Sequence, residues 1–366
     1  MTDRILTLRD LNRATLARQM LLAREKRSIP AAIERLVGLQ AQLSSAPFVG
    51  LWTRLSDFRR EDLACLIQDR TVVKATLMRG TLHTFTADDY CRFRSTLQPV
   101  LTQAWSTLTK SRPLDFDLAK LLAAARRFID EEPRTFAEIT SMVSALVPGH
   151  DPGPMRYAIR THLPLVQVPI SGAWSYPTNP KFALAESWIG RSISPKDSLR
   201  ELVYRYLAAF GPASAVDMQT WLGPSKLKDT FAHLASDLRT YRDEQRRELF
   251  DLPDLDLPAG EEAAPIRFLP EFDNLLLSHS KRTRVVADEH RPRVFLPGLR
   301  VAPTILIDGF AGGVWKIEKS KTAASLVIEP FDKVSKRDRT ALSEEGERLV
   351  RFIEPNAKSF EVRVSS

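Results

Sequence analysis

Gln40 and Gln42, two residues apart, are the positions whose type and spacing first suggest chemistry. A primary amide is uncharged, yet it offers an acceptor oxygen and two donor hydrogens. A pair of them can place a water molecule without any strong base. The periodicity makes Gln40 conspicuous. Ser28 can cap a helix that Pro30 enters in its first turn, and Ile33, Leu36 and Val37 form its apolar stripe. Counted at 100° per residue from Ile33, Gln40 falls about 20° from the middle of that stripe. A buried amide without partners costs about 1–3 kcal/mol, so either a neighbouring backbone group or a ligand must satisfy it. In a continuous helix Gln42 points about 200° away from Gln40. The two amides share a ligand only where the helix frays or turns, and Ser44-Ser45-Ala46-Pro47 supplies such a break.

The elements that must position this pair repeat along the chain. Leu11, Leu16, Met20 and Leu21 mark a helix over about residues 8 to 23 ahead of the one that carries the glutamines. Runs 71–78 and 81–86 flank the Arg79-Gly80 turn as a hairpin. Helices followed by a hairpin make a winged helix. The pattern returns with Leu121, Leu122, Ala125, Phe128 and Ile129, the capping box Thr135 to Glu138, and a helix holding Met155 and Ile159. Strands at 165–169 and 172–176 then form its hairpin. A third unit carries Leu199, Leu202, Val203, Tyr206, Leu207 and Phe210, is stopped by Gly211-Pro212, and reopens at Ser214 with Met218, Trp221 and Leu222. Three such units in succession suit a chain that tracks a duplex; a merely repeating helical scaffold is the competing reading. After the Pro- and Asp-rich linker at 251–260, short apolar runs at 266–269, 304–307, 314–317 and 325–328 read as a small antiparallel β-barrel, closed by a helix over about 335 to 353. The expected fold is α+β: winged-helix units at 1–110, 111–192 and 193–250, and a C-terminal β-barrel with its closing helix at 251–366.

Composition narrows the partner. Hydrophobic residues make up 43% and charged residues 27% of the 366, the balance of a folded protein with a sizeable core. Lys and Arg number 53 against 45 Asp and Glu, a net charge of +8 that favours a polyanion, nucleic acid being the commonest. Cys65 and Cys91 are too few for an iron–sulfur cluster or a disulfide framework and suit small buried positions. The six histidines, at 83, 150, 162, 233, 279 and 290, show no paired ligand spacing, so neither metal nor cofactor is expected. The start of the chain lacks a signal-peptide pattern and no apolar run reaches the roughly 18 residues of a membrane helix, which makes a cytoplasmic home the expectation.

The densest basic stretch holds Lys281, Arg282, Arg284, Arg291, Arg293 and Arg300 against Asp288 and Glu289. It is either a phosphate-gripping hairpin or a solvated loop. Arg79 at a wing tip and His83 beside it suit a DNA groove, and His83 equally suits a buried structural place. Lys316 is a further contact candidate in the barrel, where its neighbour Trp315 suits the core.

Four stretches carry a resemblance: Gly38-Leu39-Gln40-Ala41-Gln42; Met78 to Phe85; Leu269 to His279; and Asp308-Gly309-Phe310 with Val314-Trp315-Lys316-Ile317. They resemble the AlkZ and YcaQ group of bacterial DNA glycosylases over essentially the whole chain. The resemblance implies three tandem winged helices and a C-terminal β-barrel arranged as a C-shaped clamp, acting as a monomer. It makes Gln40 and Gln42 the catalytic pair and adds His279 to the DNA contacts. The two-glutamine form is similar to the branch that protects producers of DNA-alkylating natural products. The expected substrate is double-stranded DNA bearing bulky N7-alkylguanine, with interstrand cross-links included. Such a base is cationic and leaves readily, so a placed water and a polar surround for an oxocarbenium-like transition state suffice. No lysine nucleophile is required, and a clean abasic site is the expected product. A non-catalytic winged-helix regulator accounts equally well for charge and repeats, but leaves the inward Gln40 without a reason.

Overall fold

The computed structural model describes residues 4–112, 115–223 and 225–365. Its centre is a six-stranded antiparallel sheet in the order Leu39–Gln40, Leu82–Thr86, Val72–Thr76, Leu165–Gln167, Lys181–Leu184 and Arg134–Thr135. The hairpin 72–86 and the hairpin 165–184 therefore belong to one sheet, joined where Ala75 pairs with Val166. The strand that pairs with Leu165–Gln167 is Lys181–Leu184, and the expected strand at 172–176 is absent. Trp174 and Tyr176 instead fold onto the core beside Phe48, where Trp174 makes an edge contact at 5.3 Å.

Helices pack around this sheet. Ala87–Thr109, Leu199–Phe210 and Ala215–Leu222 bury Phe93, Leu97, Tyr206, Phe210, Met218 and Trp221 against Phe85 and Val37. Leu118–Glu131, Phe136–Leu146 and Pro152–His162 close a second core around Leu121, Ile139 and Ile159. Capping boxes start three helices, from Thr7 to Asp10, Thr135 to Glu138 and Ser214 to Asp217, so those starts are written in the local sequence.

The helix Ile29–Arg35 is shorter than its apolar stripe suggests. Val37 and Gly38 take positive φ, the Gly38 amide donates to Ile33 O at 2.9 Å and the Val37 amide to Glu34 O at 3.1 Å. This is a Schellman stop, and it turns the chain into the strand Leu39–Gln40. Gln40 is thus a strand residue, paired with His83, and its inward aim comes from sheet alternation rather than from a helical stripe.

The C-terminal part is an open sheet of Arg267–Leu269, Thr304–Ile307, Phe310–Lys319, Ala323–Pro330 and Ser359–Val364, covered by the helix Lys336–Ile353. Its last pair is parallel, and among the described residues no pairing joins its two edge strands, so the sheet does not close into a barrel. Trp315 is buried in it and donates to Leu269 O at 2.9 Å.

The N-terminus reaches across to this half. Ile5–Leu6 pairs in parallel with Arg239–Asp243, Asn12 donates to Arg284 O and Gly309 O at 2.7 and 2.8 Å, and Arg13 meets Asp308 at 2.5 Å. Cys91 is buried, whereas Cys65 is exposed.

Candidate active site

The two glutamines lie at the mouth of an open cleft of about 750 Å³. Arg79 and Thr81 line it from the first hairpin, Phe272 and Leu277 from the segment after Leu269, and Arg282 with residues 295–301 from the opposite wall. Gln40 is 6% exposed and Gln42 is exposed. Ala41 between them is fully buried and its amide donates to Leu82 O at 2.7 Å, which explains the small middle residue.

Arg79 fixes the orientation of Gln40. Its Nη2 donates to Gln40 Oε1 at 2.6 Å, and its Nη1 donates to Trp221 O. A guanidinium can only donate, so the amide oxygen must face it and the Gln40 NH2 is turned to the cleft. Arg79 adopts this pose from a left-handed backbone, φ +57°, followed by Gly80 at +68°. Such a conformation costs a non-glycine residue about 1–2 kcal/mol, which the guanidinium contacts offset.

His83 lies beneath. It is completely buried, its Nδ1 is 3.1 Å from Thr81 O, and its Nε2 is 3.4 Å from Arg79 Nη2. Burial, and then the Arg79 charge, push it down to about 3, so it is neutral with the proton on Nδ1 and the lone pair of Nε2 toward Arg79. Burial and the nearby Arg282 lower Arg79 to about 10, which leaves it a cation at neutral pH. Gln42 is more loosely held, the Leu82 amide lying 3.5 Å from its Oε1.

The opposite wall is a two-stranded hairpin, Phe295–Leu296 with Arg300–Val301, and Leu299 at its tip is 94% exposed. The Arg282 guanidinium stacks 4.0 Å over the Phe295 ring. Among the described residues neither Arg79 nor Arg282 has a carboxylate partner. The cleft is therefore neutral at its amides and basic on its walls.

The other basic candidates fall elsewhere. Lys281 is exposed at the start of the turn Arg282–Arg284. Lys316 is exposed on the C-terminal sheet and lies 3.3 Å from Glu318 and 3.7 Å from Glu329. Arg284 and His279 are contrary to expectation. Arg284 is buried and donates to Pro212 O at 3.0 Å and Thr15 Oγ1 at 3.2 Å. His279 is buried with Nε2 3.0 Å from Phe210 O, and burial pushes it down to about 3. Both stand around Asp217, whose carboxylate accepts from Ser280 and is held well below the usual carboxylate range by His279 and Arg284 despite its burial. They hold the third helical unit to the C-terminal half. His83 is likewise buried, beneath Arg79.

Sequence reasoning missed the apolar side of the cleft, Phe272, Leu277, Leu296 and Leu299. The Pro297-Gly298 turn between Phe295-Leu296 and Leu299-Arg300-Val301 was the available signal for that hairpin.

Two neutral amides lining an open cleft with basic walls make up the candidate site. Comparison with known proteins makes this specific. Residues 33–352 match the family model described as DNA glycosylase AlkZ-like, and the chain belongs to that family. It is 26% identical over 364 residues to the interstrand DNA cross-link repair glycosylase of Streptomyces sahachiroi, covering 91% of this chain and 93% of that protein. The solved structure of the Streptomyces sahachiroi DNA glycosylase AlkZ superposes with a TM-score of 0.80 at 23% identity, covering 99% of this chain and all of the other.

Proposed function

We propose that the protein hydrolyses the N-glycosidic bond of N7-alkylguanine in double-stranded DNA, bulky adducts and interstrand cross-links included, with Gln40 and Gln42 as the catalytic pair. The observation that carries this reading is the Arg79 clamp, which turns the Gln40 NH2 toward the cleft beside the Gln42 amide. A water between them accepts from Gln40 Nε2 and donates to Gln42 Oε1, leaving a lone pair for C1′ of the deoxyribose. As the bond between C1′ and N9 breaks, its electron pair goes to the base, which departs neutral. The water oxygen bonds to C1′, and its proton passes along Gln42 to solvent. The positive charge of the base passes to C1′ in the oxocarbenium-like transition state and leaves at last as the proton of the attacking water. No covalent intermediate forms, so the product is an abasic site and the enzyme is monofunctional.

The three helix-and-hairpin repeats act on this reading as winged helices along the duplex, at about 1–110, 111–192 and 193–250. Arg282 and Arg300 take phosphates, and the exposed Leu299 inserts at the lesion. The likeness over nearly the whole chain to the Streptomyces interstrand cross-link repair glycosylase supports the enzyme over the regulator.

Matched duplexes carrying small and bulky N7-alkylguanine, a cross-link, uracil or 8-oxoguanine, heated with alkali to reveal abasic sites, test the proposal. The N7 adducts are cleaved and the neutral bases are not. Gln40→Ala and Gln42→Ala each slow single-turnover excision by at least about tenfold with little change in affinity. Wild-type rates in both variants, or removal of uracil with no action on any N7 adduct, would overturn it.

A further inference from the structure

A second basic site lies one strand away from the cleft. Lys74, on the strand Val72–Thr76, is 3% exposed; its ammonium is 3.2 Å from Ser44 Oγ and 5.0 Å from the centroid of the Tyr176 ring. Arg160, on the last turn of the helix Pro152–His162, donates through Nε to Thr76 Oγ1 at 2.8 Å. Its two terminal nitrogens make no hydrogen bond or ion pair among the described residues. Burial pushes Lys74 down to about 8 and Arg160 pushes it the same way; burial lowers Arg160 as well. Among the described residues no carboxylate offsets either charge. Buried charges are normally paired, and these two neighbouring cations have no anionic partner among the described residues.

The way in is open. A pocket of about 370 Å³ runs between the helices Ala87–Thr109 and Pro152–His162, with Thr109, Arg112, Phe136, Arg156, Tyr157 and Arg160 along it. Arg156 is exposed, with Nη1 3.2 Å from Thr140 Oγ1. The carboxylate at this end, Asp151, is occupied by Arg112 at 3.0 Å. The position relative to the cleft is fixed by the sheet. Thr76, which Arg160 holds, pairs with Leu82, whose amide faces Gln42. The Tyr157 hydroxyl lies against Gly80, the neighbour of Arg79.

We propose that this pocket binds a backbone phosphate of the DNA strand under repair, with Arg160 and Arg156 as its donors and Lys74 as a charge behind them. Phosphate contacts set register rather than sequence. This one holds the strand at a fixed distance from the lesion, so that C1′ of the damaged nucleotide comes to the two amides and not to a neighbouring step. Arg160 is thus a positioning residue. The proposal rests on the reading of the protein as an enzyme of DNA.

A series of duplexes, each with a single phosphodiester replaced by a neutral methylphosphonate, tests it. Wild-type affinity falls about tenfold at one or two adjacent phosphates, the loss of a charge-assisted hydrogen bond. Arg160→Gln is insensitive to neutralisation at those positions only, and its salt dependence is flatter by about 0.9 in log–log slope. Arg160→Lys keeps the slope, because it keeps the charge. Arg156→Gln, an exposed change that leaves the core untouched, blunts the same positions and carries the test if Arg160→Gln fails to fold. Identical profiles and slopes for wild type and the glutamine variants would overturn the proposal while leaving the glycosylase reading intact. Failure of the wild-type protein to bind any duplex would overturn that reading instead.

Discussion

Arg79 sets what Gln40 can do, because a free amide in a polar cleft rotates and offers its oxygen and its NH2 in turn. Its forked guanidinium reaches Trp221 O and Gln40 Oε1 at once, and a lysine ammonium has no such fork. Arg79→Lys therefore keeps the charge and loses the orientation. We expect single-turnover excision to fall about tenfold or more with a dissociation constant within about twofold of wild type. A loss confined to affinity would mean that Arg79 grips phosphate instead. At this scale the sequence was informative about residue type and poor about direction. The glutamines stood out, whereas Arg79 read as a groove contact, Arg284 as part of a basic stretch, and His279 as a DNA contact through the family resemblance alone. A run of charges carries no record of which members turn inward, and Asp217, the group that draws those two inside, lies more than sixty residues away along the chain.

Among the elements, the turn from helix to strand at Val37 and Gly38 has the largest effect on the site. A Cβ added at Gly38 would lie 1.9 Å from the Phe85 ring, and φ there is +82°. Gly38→Ala must move Phe85 or unwind the turn, so we expect a loss of at least about 2 kcal/mol, read as a lower urea midpoint with an unchanged m-value, and slower excision as Gln40 shifts. Unchanged stability would show that the turn relaxes freely. Helix starts were legible because caps are local, and the strands at 304–307, 314–317 and 325–328 were legible because their apolar runs are short and bounded. The end of the second helix was misread: its apolar stripe continues past Arg35, and only the glycine marks the stop. The partner of Leu165–Gln167 was misread for a different reason. Trp174 and Tyr176 have strand-like composition, but they are used to cover the first core, a demand that no local pattern expresses.

Across the whole molecule, the buried imidazoles tie stability to pH. An unfolded histidine takes a proton near pH 6.5, whereas folded His83 and His279 resist protonation until about 3. Their contribution is complete above about 6.5 and is lost as the pH falls, by about 1.4 kcal/mol per pH unit for each histidine. Asp89, raised to about 6 by burial, acts in the opposite sense below that pH, so a comparison is needed to isolate one group. His279→Gln keeps a donor for Phe210 O and has no proton to gain. Denaturation at pH 7.5 and 5.5 should show wild type losing about 1 kcal/mol more than this variant on acidification; equal losses would mean that His279 is already charged in the fold. The same long-range wiring governs how the chain is made. Arg13 meets Asp308 across 295 residues, and the strand Ile5–Leu6 waits for Arg239–Asp243. At roughly 5–20 residues per second, a ribosome needs about 15–60 s to supply the partner of a helix it finished at the outset. Until Asp308 is made the helix has nearer partners, Leu207 O, Ala209 O and Asp251, to dock against, so its hold on the C-terminal half is completed last.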